Sequence, residues 1–273
     1  MTHGRWTEVA DRVLVGRYRF FDQDIGAILT EDGPVVVDTR STPDQAREIL
    51  DDLRTLSRLA VAAVINTHHH FDHAFGNATF RPAPIWGHLR CARHVLETTA
   101  ADLAEIAEES PELADGLKDV VLDPPDRTFG DEGVAIDVGG RTIELRFLGR
   151  GHTDDDIVVV VPDAGVLFAG DLVENGNPPY FGDGYPLDWP ATLRAVRGLV
   201  SGVVVPGHGD VADLAFVERT IADVAAVAEL ARRVAAGSLD LDAAIAAAPY
   251  PAEHAREPIE RGLAQARGEL DPA

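Results

Sequence analysis

Four apolar runs in this chain end on a histidine or an aspartate. VAAVINT (61–67) leads into HHHFDH (68–73), ELRFLGRG (144–151) into His152, VLFAG (166–170) into Asp171, and VVVPG (203–207) into His208. Buried strands that stop on metal-capable side chains constrain the fold strongly. In open α/β sheets the loops at strand ends leave room for ligands, so sites collect there. Taken singly, His152 reads as a turn hydrogen-bonder, Asp171 as a cap and His208 as a loop residue. Four such ends in one chain imply a shared site.

The rest of the pattern is that of an α/β chain. VLVG (13–16), DIGAIL (24–29) and PVVVD (34–38) read as strands, the last two turned by Glu31-Asp32-Gly33. Helical spacing follows over 41–58, with Ala46, Ile49, Leu50, Leu53 and Leu56 on one face. Thr42 and Gln45 fit a capping box, and Pro43 suits the first helical position. A short strand at 84–87 and helices over about 89–119 come next. Residues 142–149 read as a strand, and 156–161 with 165–170 as a hairpin around Pro162-Asp163-Ala164. Asp188 and Pro190 open a helix carrying Leu193, Val196 and Val200. Residues 203–206 read as a buried strand, and Asp213 caps a long helix that stops at Arg232, Arg233 and Gly237. The tail from 239 is helical, with a frayed end at 271–273. No linker rich in Pro, Gly or Ser divides the chain. The expectation is one domain over residues 1–273, with a core of about 10–215 and C-terminal helices over 213–270.

Composition narrows the partners. Acids outnumber bases 46 to 24, a formal charge of −22. Such a surface repels phosphate backbones and anionic lipid, so a small-molecule substrate is expected, with no nucleic acid and no membrane as partner. The single cysteine, Cys91, rules out an intrachain disulfide and a cysteine-based zinc finger. It falls in a helical stretch and reads as a packed small residue. The N-terminal residues lack the apolar segment of a secretory signal, and no apolar run approaches the roughly 20 residues that span a bilayer, so the expected location is cytoplasmic.

The densest signal is 68–73. The chain has ten histidines, and four of them fall within these six positions beside Asp72. In extended chain His68 and His70 point one way and His69 the other. Asp72 keeps that phase if the chain stays extended, and a turn brings His73 round. Imidazole and carboxylate suit zinc and other borderline divalent ions.

With these residues quoted, the chain resembles the metallo-β-lactamase superfamily. The matching motifs are His-x-His-x-Asp-His (His68, His70, Asp72, His73), GHT (151–153), AGD ending on Asp171, and PGHG (206–209), in that order. The resemblance implies a four-layer αββα sandwich with two metals at one edge. It assigns His68, His70 and His152 to the first metal, Asp72, His73 and His208 to the second, and Asp171 to a bridge. Asp38 matches a structural aspartate of the family and is not expected to be a ligand. The implied cofactor is two zinc ions per chain, with iron or manganese as alternatives.

Two cations roughly 3.5–4 Å apart share a water and lower its pKa from about 15.7 towards 7, which makes a nucleophile without serine or cysteine. The first metal polarises a carbonyl, and Asp72 is placed as a catalytic proton shuttle. The expected activity is therefore dinuclear zinc-dependent hydrolysis of a thioester, lactone or ester. Departures within the family narrow it. Many β-lactamases resembling this fold carry Cys or Ser where Asp171 stands and are exported, so antibiotic cleavage is disfavoured. Flavin-linked di-iron members carry Glu where His70 stands. An iron-dependent sulfur dioxygenase has similar ligands and is the runner-up. The loop 172–190, rich in Pro, Gly and aromatics, is the candidate substrate loop. Tyr180, Phe181 and Tyr185 either line the pocket, with Tyr180 and Tyr185 as the candidate substrate-binding residues, or pack the loop onto the body. Asp154, Asp155 and Asp156 follow GHT; one of them is expected to orient His152, and the others to be solvated.

Overall fold

The computed structural model describes residues 2–3 and 5–270, with side chains from residue 5, so the expected frayed end at 271–273 lies outside the described residues. The first half runs β1 (Thr2–His3), β2 (Trp6–Ala10), β3 (Val13–Tyr18), β4 (Gln23–Leu29), β5 (Pro34–Val37), α1 (Pro43–Leu53), β6 (Ala63–Ile65), α2 (Phe71–Ala74), β7 (Ile85–His88), α3 (Leu89–Glu97), α4 (Ala100–Glu109), α5 (Ala114–Leu117) and β8 (Arg127–Phe129). The second runs β9 (Val134–Val138), β10 (Arg141–Phe147), β11 (Ile157–Val161), β12 (Val166–Asn175), α6 (Trp189–Leu199), β13 (Val203–Gly209), α7 (Leu214–Ala235), α8 (Leu241–Ala247) and α9 (Ala252–Ala266).

β2 to β8 are hydrogen-bonded in chain order, with β1 against β2, and β9 to β13 form a second series in chain order. One pair, His208 with Gln23, joins the two. Their inner faces share a core. Val13, Ile28, Val35 and Ile65 from the first series pack with Ile143, Ile157, Phe168 and Val205 from the second. Each such side chain, taken out of water, contributes about 1.5–3 kcal/mol. Gly26 makes the close approach possible, since a Cβ there would lie 2.5 Å from the Phe168 ring.

Helices cover both outer faces. Ala46, Ile49 and Leu53 of α1 pack on Val36, Val64 and Ile85. On the other side α6, α7 and α9 bury Leu193, Val196, Val224, Val227 and Ile259 against Val158, Leu167 and Val204. The result is the expected αββα order. A smaller cluster, with Cys91 and Val95 of α3, packs against Ala74 and Phe75. No described helix is long and apolar enough to cross a membrane.

Several local expectations shift. Thr42 Oγ1 accepts from Gln45 N, but the Gln45 side chain reaches past Thr42 to the backbone N of Ser41. Asp188 precedes α6 without capping it, because Arg150 holds its carboxylate. Leu50 and Leu56 are only half-buried. Residues 61–62 and 66–67 lie outside β6. β12 does not stop at Gly170; it continues to Asn175, with register irregularities on either side of Gly170, whose φ is +53°.

Candidate metal centre

The seven side chains named above meet where the two strand series join. β6 ends at Ile65, and the chain bends at Thr67 and His68 before reaching His70, the residue before α2. The turn of α2 then sets Asp72 and His73, so helical rather than strand geometry places them. His152 sits in the loop after β10. Asp171 and His208 lie inside β12 and β13 rather than beyond strand ends. The bulge at Gly170 and the join to β4 turn them inward.

The spacing of the donor atoms is informative. Nε2 of His73 is 3.4 Å from Oδ2 of Asp72 and 3.3 Å from Oδ1 of Asp171. Nε2 of His208 is 3.3 Å from Oδ2 of Asp72 and 3.3 Å from Oδ2 of Asp171. Nε2 of His152 is 3.5 Å from Asp171 Oδ2 and 2.8 Å from His70 Nδ1, and His68 Nε2 is 3.9 Å from Asp171 Oδ2. Donors bound tetrahedrally at about 2.0–2.1 Å from one cation stand roughly 3.3–3.4 Å apart. Two groups emerge, His68–His70–His152 with Asp171 and Asp72–His73–His208, and Asp171 touches both.

Each histidine is fixed by its other nitrogen. His73 Nδ1 faces Asp38 at 2.9 Å, His152 Nδ1 the Tyr180 carbonyl at 3.1 Å, and His208 Nδ1 the Phe21 carbonyl at 2.8 Å. A carbonyl only accepts, so Nδ1 of His152 and of His208 carries the proton and Nε2 keeps its lone pair for the centre. Thr67 Oγ1 donates to Asp38, so it accepts from His68 Nδ1. Asp38 also accepts from Thr67 N. It stays outside the donor set, as expected. Outer partners of this kind raise ligand basicity and fix orientation.

Electrostatics agree. Burial opposes charge on His73 and His208, yet Asp171 and Asp72 outweigh it and hold both well above the ordinary imidazole range. Burial and the neighbouring His70 push His152 down to about 4. Burial also opposes ionisation of Asp171 and Asp72, but the facing imidazolium of His73 holds both well below the usual carboxylate range. The carboxylates call for positive charge, and bound cations would displace these protons. Two atoms test the fit. His68 Nε2 and Asp171 Oδ1 are buried with no hydrogen-bond partner, a costly state that a cation at the centre would relieve. The residues fit a metal pair.

Other expectations fare differently. Tyr180 lines the cavity over the donors, about 770 Å³ in volume. Tyr185 does not, because its ring lies 4.2 Å beneath the Arg150 guanidinium. Phe181 turns inward onto Trp189, with ring centres 4.8 Å apart. None of Asp154, Asp155 and Asp156 orients His152, and all three are buried rather than solvated. Asp155 takes His69 and Thr153, Asp154 takes His94, and Asp156 accepts from Thr153. The residue that sequence reasoning missed is Asp183. Its carboxylate holds Nε2 of His70, and Arg261 of α9 donates to the carbonyls of Asp183 and Gly184. No spacing pattern singles it out.

The family model described as the metallo-beta-lactamase superfamily matches residues 18–208. A type 2 metallo-beta-lactamase of Bacillus cereus is 27% identical over 197 residues, covering 70% of this chain and 69% of that protein. The solved metallo-beta-lactamase from Pontibacter korlensis superposes with a TM-score of 0.62 at 23% identity, over 81% of this chain and 98% of its own. The stereoselective inverting sec-alkylsulfatase Pisa1 from Pseudomonas sp. superposes at 0.79 with 16% identity, over 98% of this chain and 52% of its own. At these identities the structural likeness is one of fold.

Proposed function

The chain belongs to the metallo-beta-lactamase superfamily, and on that footing we propose that it is a hydrolase holding two zinc ions that cleaves a small ester, thioester or lactone. The observation that carries the reading is the placement of Asp171 within 3.3 Å of both His73 and His208 and within 3.5 Å of His152. In this reading His68, His70 and His152 would hold one cation and Asp72, His73 and His208 the other, with Asp171 within reach of both groups. Such a pair supplies Lewis-acid polarisation of a carbonyl and a nucleophilic water at neutral pH.

The chain's own groups do the rest. Asp72, beside His73 and His208 and on the cavity wall, is placed to accept a proton from the attacking water and pass it to the leaving group. Asp38, Thr67, Asp183 and the Tyr180 and Phe21 carbonyls keep the imidazoles aimed without reorganisation. Tyr180, on the wall, offers its hydroxyl to a substrate carbonyl. The cavity is of a size that suits a small molecule. Metal analysis of the purified chain, run beside an ester, thioester, lactone and β-lactam panel, tests the reading. Two zincs per chain and hydrolysis of an acyl substrate are expected. One iron per chain with oxygen uptake overturns it.

A further inference from the structure

Apart from its histidines, the charged side chains on the cavity wall are all acidic. Asp102, Glu105, Ile106 and Glu109 of α4 all line it, spaced i, i+3, i+4 and i+7, so one face of that helix is turned to the site. Glu97 of α3 joins them, and no lysine or arginine lines the cavity. Neither Glu105 nor Glu109 pairs with a basic side chain among the described residues. Both incur a local cost. They repel each other one turn apart, and Glu109 stands in a last helical turn without a basic residue, where the helix dipole disfavours an anion.

This is the cavity into which Asp171 and other donors of the metal centre face. Phe21 and Tyr180 also line it, although they are 43% and 53% exposed. Phe21 holds a left-handed backbone, φ +56°, that bulky residues rarely adopt. Aromatic faces beside carboxylates make a surface for a cation. Arg17 neutralises Asp22, and a metal pair would compensate Asp72 and Asp171. Glu97 has Arg93 at 4.0 Å, whereas Glu105 and Glu109 of α4 remain uncompensated among the described residues.

We propose that this wall selects substrate by charge, so that the enzyme takes small acyl compounds bearing an ammonium or similar cation and turns away anionic ones. The inference rests on the hydrolase reading above. It places phosphorylated, sulfated and carboxylate-bearing acyl compounds among the poor substrates, because nothing basic on the wall would anchor them.

The test uses the zinc-loaded 273-residue chain and three thioacetates of similar shape: acetylthiocholine, S-(3,3-dimethylbutyl) thioacetate and S-(2-sulfoethyl) thioacetate. The expected kcat/KM order is cation, neutral, anion, with about 10- to 100-fold between the extremes at low salt, shrinking as salt rises. E105Q/E109Q should narrow that ratio. Equal cleavage of cation and anion, or a ratio untouched by the double variant, overturns the proposal. Calorimetric binding of choline against its uncharged isostere 3,3-dimethyl-1-butanol separates the two readings. If none of the thioacetates is cleaved, the hydrolase reading fails, yet tighter binding of choline that weakens in E105Q/E109Q still supports charge selection. Equal affinity, including no binding of either, overturns it.

Discussion

Asp183 grips His70 from 113 positions further along the chain, its carboxylate oxygens 3.0 and 3.1 Å from Nε2. Burial opposes charge on this imidazole, but Asp183 outweighs it and pushes the pKa up to about 9. The same contact, working against burial, keeps Asp183 well below the usual carboxylate range. Nδ1 of His70 is thereby turned to the centre, 2.8 Å from His152 Nε2. Removing the carboxylate frees the ring. Asp183→Ala should weaken zinc binding about 10- to 100-fold, read by competitive chelator titration. Wild-type affinity in this variant would leave Asp183 as a mere loop residue.

Asp171 is held in place by the lack of a side chain at Gly207. A Cβ there would lie 1.7 Å from Oδ1 of Asp171, so Gly207→Ala must push the carboxylate away. A displacement of about an ångström costs on the order of 100-fold in rate. Gly207→Ala and Asp171→Ala should both lose one cation per chain and most of their activity. Elemental analysis of folded protein, confirmed by circular dichroism, checks this. Two retained cations in both variants would contradict the bridging role.

How far the sequence revealed this site follows from the range of each interaction. The strands and α7 were legible because apolar spacing and caps such as Asp213 act within a few residues. The seven donors were legible because each stands beside an apolar run. Asp188 and Pro190 open α6 as expected, but the Asp188 carboxylate goes to Arg150, 38 positions away, a partner that local spacing does not reveal. Asp183, Arg261 and the Tyr180 carbonyl were invisible for the same reason: their partners are fixed by tertiary packing, and no local pattern announces that. The aspartates after GHT were expected to orient His152; instead they serve His69, His94 and Thr153.

The two tyrosines of the aromatic loop should part company. Tyr180 lines the cavity while Tyr185 lies under Arg150 and apart from it. Loss of one substrate hydrogen bond is worth roughly 1 kcal/mol, so Tyr180→Phe should lower kcat/KM about five- to tenfold. Tyr185→Phe should leave it unchanged. Steady-state kinetics on one neutral ester decide the matter, and equal losses in both would remove the distinction.

Asp24 makes stability depend on pH in a direction opposite to that of a paired carboxylate. It is buried, Oδ2 meets no donor, and burial pushes its pKa up to about 8 against the weaker pull of Arg17 and His208. In the unfolded chain it titrates near 3.9. Between about pH 4 and 8 the folded state holds a proton that the unfolded state has released, so stability falls as pH rises through that window. Below it both states are protonated and the penalty vanishes. Asp24→Asn, which cannot ionise, should therefore stabilise the protein by about 1–3 kcal/mol at pH 8, a gain of several degrees in Tm. At pH 4 it should change little. Thermal melts of both proteins across that range check it, and a difference in Tm that does not vary with pH would show that the Asp24 carboxyl titrates alike in both states.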